Sequence, residues 1–109
     1  MPNYSRGDIL LVRYPFSDLS GAKVRPAVVV NAPHPSMDCF VVPLTSQLSY
    51  LQPGEFSLSN WEKEGLNVPT AVKRGIYTIH PSLIAKLIGH LSAKDYRILE
   101  ESLRKWLGL

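Results

Sequence analysis

The chain has 109 residues, of which 45% are hydrophobic and 19% charged, with a formal net charge of +3. This length predicts a single domain spanning residues 1–109, and the charged fraction, below the usual value of about 25%, favours a face covered by a second subunit. The single cysteine, Cys39, excludes an internal disulfide and fits a reducing compartment. No long apolar span or basic–apolar leader is present, so we expect a cytoplasmic protein with no membrane partner.

Three strands are predicted in the first half of the chain. Asp8–Tyr14 and Pro26–Asn31 are aliphatic runs of strand length, and the intervening stretch, rich in turn-forming residues, predicts a loop that joins them as a hairpin. A third strand is predicted at Cys39–Leu44. Proline cannot donate a ladder hydrogen bond, so Pro43 predicts that this strand lies at an edge or carries a bulge.

Shorter strands are predicted in the second half. Glu55–Ser59 alternates like a half-exposed strand, and "TAVK" and "IYTI" predict two more, one on each side of Arg74 and Gly75. Several of these runs are apolar at successive positions, which is typical of a closed or covered sheet.

A helix is predicted at the C-terminal end. Ser92 and Asp95 have the spacing of a capping box, and a short helical turn is predicted after Pro81. One apolar face recurs at helical spacing, formed by Tyr96, Leu99, Leu103 and Trp106. The expected fold is α+β, a small barrel-like sheet with the terminal helix packed on it.

The sequence lacks the common signatures of catalysis. Its glycines form no phosphate-binding loop, and its histidines and cysteine are too scattered for a metal site. His80 and His90 fit exposed or hydrogen-bonded loop residues better than functional contacts. Cys39 fits packing better than a nucleophile, and Trp61 fits a lid or core plug better than a base-stacking platform.

Positive charge is concentrated in the second half of the chain. No acidic residue lies between Glu64 and Asp95, whereas Lys73, Arg74, Lys86 and Lys94 all do. Either this is an ordinary solvated surface or it is a basic face directed toward a polyanion.

Two polar stretches stand beside the apolar strands. Arg25 places a permanent charge against the second strand, which is useful where an anion must be held. Thr45 and Ser46 follow the third strand in "VPLTSQ". If the two strands are neighbours, these side chains converge at one rim of the sheet. The alternative is a Thr-Ser turn that caps a strand, with Arg25 paired to Asp8 or Asp18.

Six short segments follow one another along the chain: "GDILLVRYPF", "RPAVVV", "VVPLTSQ", Gly65-Leu66, "YTI" and "LIGHLS". In the order of these segments the chain resembles the MazF/PemK toxins of type II toxin–antitoxin systems. The resemblance runs from Arg6 to the terminal helix. It implies a small SH3-like β-barrel (PemK/CcdB-like) with a C-terminal helix, acting as a homodimer. It also implies a sequence-specific endoribonuclease that cleaves single-stranded mRNA without metal or cofactor and is inhibited by a cognate antitoxin.

The resemblance implies Arg25 and Thr45 as catalytic residues, and RNA contacts from Lys23, Ser46, Gln47, Lys73 and Arg74. The implied reaction is attack of the ribose 2′-hydroxyl on the adjacent phosphate, giving a 2′,3′-cyclic phosphate and a 5′-hydroxyl. Arg25 suits stabilisation of the charge that builds on the phosphorane. Its guanidinium stays protonated near neutral pH, so it cannot accept a proton as a general base.

The chain departs from the family pattern at two positions. Val72–Gly75 contains two cations where some members carry an acid, and Val24 stands where some carry a histidine, so no general base is assigned. Two other functions stay open: a toxin of the same fold that poisons a protein such as DNA gyrase, and a catalytically weak RNA- or antitoxin-binding module. The first is disfavoured by Arg25 and Thr45, which a protein poison does not need.

The dimer is expected to form one long basic groove lined by Lys73 and Arg74. Four apolar residues are candidates for the subunit interface or for the core under the helix: Leu83, Ile84, Leu87 and Ile88. The loop of residues 15–22 is expected to flank the cleft and to be mobile.

Overall fold

The computed structural model describes residues 4–13 and 24–109. It contains seven strands, a 3₁₀ turn at Pro81–Leu83 and one α-helix, α1 (Ala93–Leu107). The strands are β1 (Asp8–Arg13), β2 (Val24–Val29), β3 (Cys39–Thr45), β4 (Phe56–Ser57), β5 (Ala71–Val72), β6 (Tyr77–Ile79) and β7 (Ile84–His90). None of the helices in these ranges is long and apolar enough to cross a membrane.

The strands form an antiparallel sheet in the order β4-β5-β3-β2-β1-β7, with β6 paired to β3. The predicted α+β class is therefore confirmed, but within the described ranges the outer strands β4 and β7 do not pair, so the sheet is open. The backbones of residues 64–65 and 88–89 meet instead. A Cβ on Gly65 would collide with the Ile88 carbonyl oxygen, and one on Gly89 with the Glu64 carbonyl oxygen. Glycine on both sides lets this contact span part of the gap.

Apolar side chains fill both faces of the sheet. One cluster includes Ile9, Val28 and Val42 together with Leu99 of α1, and the other includes Leu10, Val29 and related residues on the opposite face. The predicted helical face is confirmed, because Tyr96, Leu103 and Trp106 pack against the first cluster. A sheet covered on both faces explains the apolar runs in the sequence.

The edge position predicted from Pro43 is wrong, because β3 pairs with β2, β5 and β6. The Pro43 carbonyl accepts a hydrogen bond from Lys73 N at 2.9 Å. In an extended chain the N–H and C=O of one residue point to the same side of the strand. The side on which Pro43 lacks an N–H is therefore the one that faces β5 and β6. There β6 pairs only as far as Val41 and β5 only from Leu44, so Pro43 lies between the two ladders and interrupts neither.

The largest differences in extent from the predicted strands are in β2 and β4. β2 begins at Val24, so Arg25 and Pro26 lie within the strand, because β1 continues to pair with them beyond the aliphatic run. β4 is limited to Phe56–Ser57, since its partner β5 has only two residues. The predicted strand end at Tyr14 and the loop of residues 15–23 lie outside the described residues.

No strand was predicted at β7, although it pairs with β1 along its length. The pairing contains irregularities between Ile9 and Leu10 and between Leu11 and Val12. Bulges of this kind interrupt the two-residue alternation that identifies a strand. The apolar spacing of Ile84, Leu87 and Ile88 therefore does not resemble a regular strand.

The predicted cap of α1 is confirmed, because Ser92 Oγ accepts a hydrogen bond from Asp95 N at 3.2 Å. In a capping box the side chain of Asp95 would accept from Ser92 N, but here Ser92 N donates to Glu64 Oε2 instead, at 2.7 Å. The helical turn after Pro81 is also confirmed, and His80 Nδ1 caps it by accepting from Ser82 N at 3.1 Å.

Candidate functional site

The register of β2 and β3 brings Arg25 and Thr45 together. Ala27 pairs with Pro43 and Val28 with Val42, so the start of β2 and the end of β3 lie at the same end of this ladder. Arg25 and Thr45 both line one cleft, so the predicted convergence at a rim of the sheet is confirmed.

The cleft has a volume of about 550 Å³ and lies between the ends of β2 and β3, the middle of β7 and the segment of residues 65–70. Leucines from β1, β3 and the segment give it an apolar floor. Its polar and charged lining residues are Arg25, Thr45, Ser46, Asn67, Thr70 and Lys86.

The described lining of the cleft carries two cations, Arg25 and Lys86, and no Asp, Glu or His. Lys86 is exposed on β7. It was missed as a site residue because β7 was not predicted, although it belongs to the acid-free interval that the sequence reveals. The arrangement favours an anionic group held between the two cations.

Thr45 also confirms part of the alternative interpretation, because its side chain stabilises a turn. Its Oγ1 accepts a hydrogen bond from Gln47 N at 3.0 Å. A hydroxyl that accepts through a lone pair keeps its proton as a donor, so Thr45 can still donate to a ligand. Ser46 lines the cleft beside it, whereas Gln47 is exposed and does not line the cleft.

The proposed pairing of Arg25 with Asp8 is wrong. Asp8 Oδ1 lies 2.9 Å from His90 Nδ1, and Asp8 Oδ2 accepts from Ser5 N at 2.8 Å. Arg25 pairs in register with Val12, four residues further along β1, which is roughly 13 Å away. His90 is thus a hydrogen-bonded residue at a strand end, as predicted. Asp18 and Lys23, the latter a predicted RNA contact, lie outside the described residues.

Lys73 and Arg74 are exposed and do not line the cleft. Their backbone amides hold the segment after β5, because Lys73 N donates to the Pro43 carbonyl and Arg74 N donates to Glu55 Oε2 at 2.8 Å. Their side chains remain available to a longer ligand, and their contact with RNA stays a prediction.

The other residues considered from the sequence have structural roles. Cys39 is buried, and burial, with a smaller contribution from Asp38 and Asp8, raises the pKa of its thiol, which disfavours the nucleophilic thiolate. Trp61 packs against the core cluster that contains Leu99. Across residues 4–13 and 24–109, no group of three or more His, Cys, Asp or Glu side chains could hold a metal ion.

The fold and cleft thus define a small α+β protein with a cationic site at the rim of its sheet. The sequence model of the PemK-like, MazF-like toxins of type II toxin–antitoxin systems matches residues 5–107, and the chain belongs to this family. No curated protein sequence matches the chain significantly.

Three solved structures are similar over nearly the whole chain. An endoribonuclease from Mycobacterial species has a TM-score of 0.77 and 19% identity, covering 100% of this chain and 95% of its own. The Mycobacterium tuberculosis toxin MazF-mt6 has a TM-score of 0.75 and 23% identity, covering 94% and 97%. An endoribonuclease from Mycobacterial species in complex with its cognate antitoxin has a TM-score of 0.77 and 19% identity, covering 97% and 96%.

Proposed function

We propose that this toxin is an endoribonuclease that cleaves single-stranded mRNA at a short specific sequence without a metal ion. The observation that carries the proposal is that Arg25 and Thr45 line one cleft whose described lining holds cations and no acid. Phosphodiester groups are the anions that such a cleft fits. Two structurally similar proteins of the same fold are endoribonucleases, which supports the assignment.

In RNA the substrate supplies its own nucleophile. The 2′-oxygen forms a bond to the adjacent phosphorus, the bond from phosphorus to the 5′-oxygen breaks, and the products are a 2′,3′-cyclic phosphate and a 5′-hydroxyl. Arg25 donates to the non-bridging oxygens, where negative charge grows in the transition state. Thr45 donates a second hydrogen bond, and Lys86 offsets the charge of the phosphate before the reaction.

The 2′-hydroxyl proton leaves to solvent and the departing 5′-oxygen takes a proton from solvent in this scheme, since no Asp, Glu or His is among the described residues that line the cleft. Positioning of the attacking and leaving oxygens, together with charge stabilisation, then supplies the rate enhancement. A flexible single strand can adopt the in-line geometry, and its unpaired bases are open to recognition.

A second copy of the chain completes the binding surface in this proposal. A cleft of about 550 Å³ is the size of a site for one small molecule, too small for several nucleotides. Two copies related by a two-fold axis would join two clefts into one groove. Lys73 and Arg74 would then contact phosphates outside the cleft.

The cognate antitoxin is the other proposed partner. One of the similar structures is an endoribonuclease in complex with its cognate antitoxin. A segment that occupies the cleft of this chain needs acidic side chains for Arg25 and Lys86, and apolar ones for the exposed Val24, Val68 and Leu87.

Incubation of the purified protein with a long RNA in EDTA tests the function. We expect discrete fragments whose new 5′ ends are hydroxyls. Arg25→Ala and Arg25→Lys should each lower the cleavage rate on the order of 10²–10³-fold, because one transition-state donor is lost and lysine lacks the planar fork.

Arg97→Ala is the matched control, since Arg97 lies exposed on α1, away from the cleft, and its removal should leave the rate unchanged. Wild-type protein that binds RNA without cutting it would instead indicate a binding module. Full activity in both Arg25 variants would refute the catalytic assignment.

A further inference from the structure

Two carboxyl groups are buried together behind the wall of the cleft. Glu64 is 2% exposed and Asp95 is 0% exposed. Glu64 directly precedes Gly65 and Leu66, which line the cleft, and Asp95 lies in the first turn of α1. Burial of two adjacent negative charges is strongly unfavourable, so their protonation state requires an explanation.

The hydrogen bonds of the pair distinguish the two carboxyl groups. Asp95 accepts from Ser59 N at 3.0 Å and from Ser59 Oγ at 2.9 Å, and it lies at a helix N-terminus, where negative charge is favoured. Glu64 Oε2 accepts from Ser92 N, but Glu64 Oε1 is buried and no described group donates to it. Asp95 is therefore the group equipped to be an anion.

A proton on Glu64 Oε1 accounts for the missing donor. The neutral acid would itself be the donor, and Asp95 is the neighbouring carboxyl that acts on Glu64 and can accept this proton. Burial is the larger cause and Asp95 a further one in raising the pKa of the Glu64 carboxyl. No cation of the described chain acts on Glu64 to oppose this shift: His90, on the adjacent strand, pairs with Asp8, and Lys63 is exposed.

We propose that Glu64 is a protonated positioning residue, whose Oε1–H donates to Asp95 and holds the Gly65–Leu66 wall of the cleft against α1. Its backbone contacts β7 at Gly89, and its side chain contacts the cap of α1, so one residue joins three parts of the fold. The link to cleavage rests on the proposed function, whereas the protonated pair does not.

The proposal fixes the direction of a pH effect. A carboxyl whose pKa is higher in the folded than in the unfolded chain stabilises the fold fully below its unfolded value, near 4.5, and this contribution is lost as the pH rises through the folded value. Within that window one proton is released on unfolding, so the folding equilibrium constant falls up to about tenfold for each pH unit.

Glu64→Gln tests this linkage, because an amide accepts from Ser92 N and donates to Asp95 without titrating. The free energy of unfolding is measured in urea for wild type and variant between about pH 5 and about pH 9. As the pH rises, the wild type should lose stability relative to the variant. Glu62→Gln is the matched control, since Glu62 is exposed two residues earlier and should follow the wild type.

Carbon-13 NMR of the Glu64 side-chain carboxyl in the wild type is a second measurement that needs no variant. The neutral form should persist to a higher pH than in an ordinary glutamic acid, because burial raises the pKa of this carboxyl. Titration of this carboxyl near its ordinary value, or identical pH profiles for wild type and Glu64→Gln, would overturn the proposal.

Cleavage assays connect the pair to the cleft. The activity of wild type relative to Glu64→Gln should fall with rising pH, mainly through a higher KM, as the wall of the cleft loosens. An activity ratio that does not change with pH would overturn the positioning role. If neither protein cuts RNA, the proposed function fails, while the unfolding and NMR measurements still decide the protonation of Glu64.

Discussion

At the scale of single residues, the cleft assigns different tasks to two cations. Arg25 lies in a strand that is held on both sides, by β1 and by β3, and its guanidinium presents several donors in a fixed plane. Lys86 lies on β7, an outer strand of the sheet, and carries a point charge on a flexible chain. The first suits a transition state with defined geometry, and the second suits attraction of a phosphate.

Lys86→Met separates these tasks. We expect RNA affinity to fall about uniformly across sequences and the slope of log affinity against log salt concentration to decrease by about one, because one phosphate contact is lost. The rate at saturating RNA should change little, in contrast to the Arg25 variants. Affinity measured at several salt concentrations checks this, with Lys105→Met on the exposed face of α1 as the control. An unchanged salt slope in Lys86→Met would show that Lys86 does not contact phosphate.

At the scale of elements, the contact between Gly65 and Gly89 shapes the cleft. The backbones meet so closely that a methyl group on either residue would collide with the carbonyl oxygen of the facing segment. Gly65 also has a φ of +97°, which disfavours other residues. The wall at Gly65–Leu66 therefore follows the position of β7, which also carries Lys86.

Gly89→Ala tests this contact, since it forces apart two backbones that cannot yield by side-chain motion. We expect the free energy of unfolding to fall by about 1–3 kcal/mol, the usual cost of overpacking, and RNA cleavage to fall with it. Gly108→Ala is the comparison, because a Cβ there meets open space at the end of α1, so that its only cost is the strain of a left-handed φ of +72° away from the cleft. That variant should keep its cleavage rate at a temperature where both are folded. Normal cleavage by Gly89→Ala would show that the wall does not depend on this contact.

At the scale of the whole molecule, the apolar residues left exposed at the cleft are candidates for the interface of the proposed dimer. Val24, Val68 and Leu87 line the cleft and are 47%, 49% and 50% exposed. The other three interface candidates are largely used within the chain, because Leu83 and Ile84 pack on one core cluster and Ile88 on the other. Leu87 is thus the candidate with most surface to offer a second copy.

Leu87→Glu should disrupt the dimer without unfolding the chain, since half of its surface is already exposed. We expect wild type to sediment at about twice the chain mass of 12.2 kDa, and the variant at the chain mass, with cleavage reduced at low protein concentration. Leu109→Glu, at a site 82% exposed at the chain end, should remain dimeric. A dimeric Leu87→Glu would locate the interface elsewhere, and a fully active wild-type monomer would refute the shared groove.

The elements that could be predicted from the sequence are those whose signals are local. Aliphatic runs identified β1, β2 and β3, the spacing of Leu99 and its neighbours identified α1, and Arg25 and Thr45 were noticed because polar groups stood beside apolar strands. Each of these signals depends on burial or chain geometry within a few residues, which a sequence displays directly.

The features that could not be predicted depend on pairing between segments that are distant in the sequence. β7 was not predicted because its irregular pairing with β1 breaks the alternation of apolar and polar residues. Lys86 was therefore missed as part of the cleft. The edge position predicted from Pro43 was wrong because the side of β3 on which proline lacks an N–H faces the junction between β5 and β6. Glu64 and Asp95 are far apart in the sequence, and no local pattern indicates that these two acids will be buried next to each other. Register, junctions and buried charge pairs arise when the chain folds back on itself, and therefore they become visible only in the folded molecule.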